Sequence, residues 1–144
     1  ARYSATPVSE LSMIGKAVTL IAALTVSTAL LAQEFRAENH VFVVSVAGGF
    51  DVVDGGGYGA RGMWCAAADY ARKVLGASGT ARIYIAEGRP PGLGQRAPVR
   101  FTLDPTGVDP SLVTIVGASL RKAGASLSVD HAYQFCADAK LINR

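Results

Sequence analysis

The chain is short of the side chains that do most enzyme chemistry. It holds two histidines, two cysteines and one tryptophan, and charged residues make up only 17% of it, with no run of one sign. His40 and His131 stand in no H-x-x-x-H arrangement, and no C-x-x-C or G-x-S-x-G occurs anywhere. The helical zinc-protease motif, the thiol redox pair and the nucleophile elbow are thereby excluded. No three donors stand at zinc-ligand spacing, and the phosphate loop G-x-x-x-x-G-K-[ST] is missing. The 14 basic residues exceed the 11 acidic ones by a net charge of +3, but they are scattered. Nucleic-acid binding needs clustered Lys and Arg with interleaved aromatics or a known module, so that class is excluded too. No metal, cofactor or nucleic-acid partner is expected.

One long apolar run is present, and it sets the expected compartment. Lys16 precedes Ala17 to Ala32, sixteen residues without a charge, and polar Gln33 and Glu34 follow. This pattern is that of a signal-peptide apolar region, because a membrane-spanning helix needs about 20 apolar residues. Cleavage after Ala29 places Ser27 and Ala29 at the small-residue positions, whereas cleavage after Ala32 places Leu30 there. The alternative is a retained anchor that holds an inner-membrane accessory protein with a periplasmic domain. Residues 1–32 are read as signal or anchor and 33–144 as a single domain, with Met13 an alternative start. A periplasmic or secreted location is expected.

Both cysteines fall in that domain. An even pair in an exported chain reads as a disulfide, and Cys65–Cys136 is the one connectivity available. Closing a loop of this length stabilises a domain by about 4 kcal/mol in the chain-entropy account. Two buried free thiols are the competing reading.

Periodicity predicts an α+β fold, a small mixed sheet of three to four strands with two helices on one face, in the order β-α-β-β-β-α. From Met63 to Leu75, Trp64, Ala67, Ala68, Ala71, Val74 and Leu75 share one helical face, opposite Asp69, Arg72 and Lys73, and Gly76 supplies the stop. His40–Ala47 is β-branched on both faces and reads as a central covered strand. Arg82–Ala86 and Val99–Leu103 alternate as hairpin partners. Residues 111–121 suit either strand or helix, and strand is preferred for Val113–Val116. Ser128 caps a last helix, Val129 to Ala139, with Cys136 on its buried face.

Seven glycines crowd the fifteen residues Gly48 to Gly62. Gly57 to Gly62 spells G-x-G-x-x-G, yet the strong strand ends near Ala47, too early for the tight turn of a dinucleotide site. The candidate binding surface is Phe50, Tyr58, Arg61 and Trp64, joined by Arg89 and Arg96 from the Gly- and Pro-rich stretch 87–98. Aromatics and arginine on glycine-rich backbone at a helix start suit an acidic or glycan-like ligand. The competing reading puts Phe50 and Trp64 in the core and leaves Arg61 solvated.

Four segments, W-C-A-A-A-D-Y-A-R-x-x-L-G from Trp64, R-I-Y-I from Arg82, F-T-L-D-P from Phe101 and A-Y-Q-F-C-A from Ala132, span most of residues 41–138. Together they resemble small uncharacterised exported proteins of alphaproteobacteria. The resemblance implies an envelope location and paired cysteines, and brings no activity and no catalytic residues. The expected function is binding or structural association in the cell envelope. A small envelope hydrolase built on the glycine loop with His131 or His40 is the alternative.

Overall fold

The computed structural model describes residues 33–92 and 96–142, and the apolar run lies outside them. Among the described residues the architecture is α+β, with one mixed sheet of seven strands where three to four are expected. In chain order the elements are β1 (Glu34–Arg36), β2 (Phe42–Val46), β3 (Gly49–Val52), α1 (Gly59–Lys73), β4 (Arg82–Glu87), β5 (Val99–Thr102), β6 (Ser111–Leu112), α2 (Val116–Ser119), β7 (Ala125–Ser128), α3 (Val129–Gln134) and α4 (Cys136–Ile142). Across the sheet they run β1-β2-β3-β5-β4-β7-β6, every pair antiparallel except β6 with β7.

Three strands and a helix break were missed, each for a local reason. Phe50 and Val52 alternate inward, but they stand in the glycine-rich stretch, where the apolar alternation covers only two positions. Alternation in β7, Ala125-Ser126-Leu127-Ser128, is carried by one large apolar residue. In β1 a mere three residues pair, Glu34 to Arg36 against Val44 to Phe42. The preferred strand at 111–121 shrinks to Ser111–Leu112, after which the chain turns into α2. The single last helix is two, divided at Phe135. Its predicted cap holds, since Ser128 Oγ accepts from the His131 backbone N–H at 3.3 Å.

β2 is also not a central strand covered on both sides. It lies second from the edge, Val43 pointing inward and Phe42 exposed on the other face. The predicted hairpin of β4 with β5 is present, Tyr84 opposite Thr102 and Ile85 opposite Phe101.

One face of the sheet carries the core. Val43, Phe50, Val52, Ile83, Ile85, Val99, Phe101 and Leu127 pack there against Trp64, Ala67, Ala68 and Ala71 of α1. Aromatic contacts run across this layer from Phe35 to Tyr70 (5.6 Å), Phe50 (4.6 Å), Phe101 (6.0 Å) and Trp64 (5.0 Å). The opposite sheet face carries polar pairs, Arg100 with Asp51 at 2.9 Å and Arg82 with Ser126 at 3.1 Å.

From Gly62 to Ala71 every residue of α1 is buried, which a helix lying on a sheet alone does not achieve. α3 and α4 cover its outer side, and the Cys65–Cys136 disulfide, Cα to Cα 4.9 Å, joins α1 to α4. Asp69, expected on a solvated face, is fully buried in consequence. The helix ends where Gly76 takes φ +65°.

Gly62 shows how tightly the start of α1 is packed. A Cβ there would stand 1.8 Å from the carbonyl oxygen of Gly55, which is backbone and has no rotamer to yield. Gly62→Ala is therefore expected to cost about 1–3 kcal/mol through overpacking, read as a lower urea midpoint with unchanged slope. An unaltered midpoint would show that the loop gives way freely.

Candidate functional site

Two polar assemblies flank α1, one at each end. At its C-terminal end the turn between β1 and β2 folds over the helix. Glu38 donates its backbone N–H to Asp69 Oδ2 at 2.8 Å, and Lys73 Nζ lies 2.8 Å from Asp69 Oδ1. The Glu38 carboxylate accepts from the Tyr133 hydroxyl through Oε2, and Lys140 Nζ lies 2.6 Å from its Oε1. Arg72 stacks over the Tyr133 ring at 4.1 Å. Asn39 extends the same turn along the helix, donating from Nδ2 to the Gly62 carbonyl at 2.8 Å.

The Lys140 ammonium and then the Tyr133 hydroxyl hold the Glu38 carboxyl below the usual carboxylate range. The same carboxylate pushes the Tyr133 phenol and the Lys140 ammonium upward. Each group is thus held in its native protonation state by the next, as expected of a clamp and not of a proton-transfer pair poised near neutrality.

At the N-terminal end of α1 lies a hollow of about 290 Å³ between the helix start, the residues after β4 and the end of α2, lined by Ala60, Arg89, Pro90, Gly117, Leu120 and Arg121. Arg89 is fixed there. Its Nε donates to the Ala97 carbonyl at 2.9 Å and its Nη2 contacts Met63 Sδ at 3.2 Å, while its backbone N–H donates to the Leu120 carbonyl at 2.7 Å. A second hollow of about 330 Å³ lies by Arg82, Tyr84, Leu112 and Ser126, but Arg82 already donates to the hydroxyl and the carbonyl of Ser126.

No family model, curated protein or solved structure matches the chain.

The six residues expected to form one surface are dispersed. Phe50 and Trp64 are interior, 1% and 0% exposed, and the Trp64 indole N–H donates to Ser119 Oγ at 2.8 Å. Neither presents a face to a ligand, because the sheet needs both to fill the space under α1. Tyr58 is half-buried at the helix start, where its side chain makes no cap hydrogen bond. Arg61 is exposed but engaged, with Nε 2.7 Å from Asp138 Oδ2 and its guanidinium 4.8 Å above the Phe135 ring. Arg96 is exposed. Of the six, Arg89 lines the hollow at the start of α1.

Sequence reasoning missed Arg121, because strand is preferred over helix for residues 111–121 and the short α2 places Arg121 just past its end. It also missed the Glu38 cluster, whose members are far apart in sequence. The Asp69 and Lys73 pair was visible from its i,i+4 spacing, though its burial was not. The two histidines lie apart from both assemblies' hydrogen bonds. His40 takes φ +66° in the β1–β2 turn, and His131 is exposed with its ring 5.7 Å from Phe135. Gly57 to Gly62 leads from a strand whose two neighbours are antiparallel, unlike the adjacent parallel pair of a dinucleotide unit. Among the described residues no group of three or more His, Cys, Asp or Glu could hold a metal ion.

The clamp gives a pH dependence with a definite sign. A depressed Glu38 contributes stability above its unfolded value, about 4.3, and loses it as pH falls through the folded value. A raised Tyr133 contributes fully below its unfolded value, about 10, and loses it as pH rises through the folded one. Tyr133→Phe is expected to move the acid limb of the stability profile to higher pH, measured as urea midpoint from pH 2 to pH 7. Superimposable acid limbs would show that the hydroxyl does not hold the carboxylate.

Proposed function

We propose that the chain is an exported binding domain of the cell envelope, closed covalently and presenting the arginine-lined hollow at the start of α1. The observation that carries the compartment is the Cys65–Cys136 bond, because structural disulfides persist where the medium is oxidising. The charge-free run from Ala17 to Ala32 and the resemblance to exported alphaproteobacterial proteins support the same location.

Binding is favoured over hydrolysis by what the polar groups are engaged in. Glu38, Asp69, Asp138 and Asp51 each accept from or pair with a cation or a donor of the chain. Neither imidazole contacts a hydroxyl or carboxylate among the described residues, so neither histidine stands as a base beside a nucleophile there. A membrane-anchored accessory domain would present the same hollow, and differs only in the fate of residues 1–32. Among the described residues no helix is long and apolar enough to cross a membrane.

The test is the intact mass of the protein recovered from an envelope fraction, with thiol alkylation before and after reduction. The expected result is loss of the N-terminal mass, with both cysteines alkylated only after reduction. Full-length mass in alkali-washed membranes would favour the anchored form. Freely alkylated cysteines in an unprocessed chain would overturn the compartment.

A further inference from the structure

Resting on the reading of that hollow as the binding side, we propose that it is a site for a tetrahedral oxyanion, a phosphoryl group carried by a small ligand or by a lipid headgroup. Three observations support this. Among the described residues the lining holds two arginines and no acidic residue, so the guanidinium charges have no counter-charge from them. Arg61 and Arg100 each have a carboxylate at 2.7 to 2.9 Å, and Arg72 and Arg82 are engaged by the Tyr133 ring and by Ser126, whereas Arg121 has no side-chain partner among the described residues. Arg89 uses two of the five N–H donors of a guanidinium, on Ala97 and Met63, and the rest remain for a ligand.

The arginines are also preorganised to different degrees. Arg89 is held from both sides, so ordering it on binding costs little side-chain entropy, and the hydrogen bond from its backbone to Leu120 brings Arg121 to the same rim. Two guanidinium forks suit separate oxygens of one phosphoryl group, where charge-assisted and bidentate bonds are strongest. A planar carboxylate has two oxygens and satisfies one fork. The volume, about 290 Å³, stands at the small end of ligand sites and suits one such group with a short substituent.

The hollow has a built-in reporter. Trp64, the single tryptophan, donates to Ser119, whose neighbours Leu120 and Arg121 line the hollow, so a ligand that orders the end of α2 changes the indole environment. Inorganic phosphate is titrated against chloride at equal ionic strength, following Trp64 fluorescence and the thermal midpoint. A saturable response is expected, weakened at least about tenfold in Arg121→Ala, as the loss of a charge-assisted bond implies. Arg121 is exposed and its side chain has no partner among the described residues, so the variant should fold, and an unchanged midpoint without phosphate checks this.

A response to phosphatidylglycerol vesicles but not to phosphate or phosphatidylcholine vesicles, lost in Arg121→Ala, would assign the phosphoryl group to a lipid headgroup. No response in either arm, an equal response in the variant, or the same response to acetate would overturn the proposal. Free cysteines in the isolated protein would remove the compartment reading and leave the phosphate titration intact. Conversely, a processed and oxidised protein with no response to phosphate or to phosphatidylglycerol vesicles would remove the ligand class alone.

Discussion

The constraint on which this structure depends is that α1 is buried on every side. Ten consecutive residues, Gly62 to Ala71, are out of solvent, the inner side against the sheet and the outer side beneath α3 and α4. A seven-stranded sheet with one helix on it would leave that outer side, including Asp69, in water. Two devices hold the cover in place. The disulfide joins Cys65 of α1 to Cys136 of α4, and Glu38 joins the β1–β2 turn to Tyr133 of α3 and Lys140 of α4. Alanine at four positions of the buried stretch, Ala66, Ala67, Ala68 and Ala71, lets its neighbours approach closely, so the packing is tight but poor in large side chains.

From that constraint the two ends of α1 take different roles. At its C-terminal end every charge is answered: Asp69 by Lys73 and a backbone N–H, Glu38 by Lys140 and a phenol, and Arg72 by an aromatic face. At its N-terminal end the charges of Arg89 and Arg121 are not answered by any carboxylate of the lining among the described residues. Charged groups on a protein surface are costly to hold together without a counter-ion, and that asymmetry points to where a ligand would contribute.

Part of this was legible in the residues. The cysteine pairing followed from their number in a chain read as exported, α1 from its apolar spacing and glycine stop, and the β4–β5 hairpin from alternation. The sheet was underestimated because its additional strands carry weak local signals. β3 hides among glycines, β7 alternates Ala and Ser around Leu127, and β1 is three residues long. Such strands are specified by their neighbours in the sheet more than by their own propensity. Asp69 was misplaced for a related reason, since the helical period identifies a polar face but not whether other helices cover it. Phe50 and Trp64 entered the candidate surface because they flank the glycine loop, yet large aromatics beside a loop are as often its floor as its ligand contacts. Arg89 was visible as part of an arginine-bearing loop, whereas Arg121 needed the turn into α2.

The most direct test of the account is equilibrium urea unfolding of the oxidised protein beside the Cys65→Ala, Cys136→Ala double variant, followed by Trp64 fluorescence. If the covalent tie is what keeps α1 covered, the variant loses about 4 kcal/mol, the value for closing a loop between residues 71 apart. The indole should then become solvent-exposed at lower denaturant than in the oxidised protein. Equal stabilities, with Trp64 equally protected, would contradict the account and place the burden of covering α1 on packing and the Glu38 clamp alone.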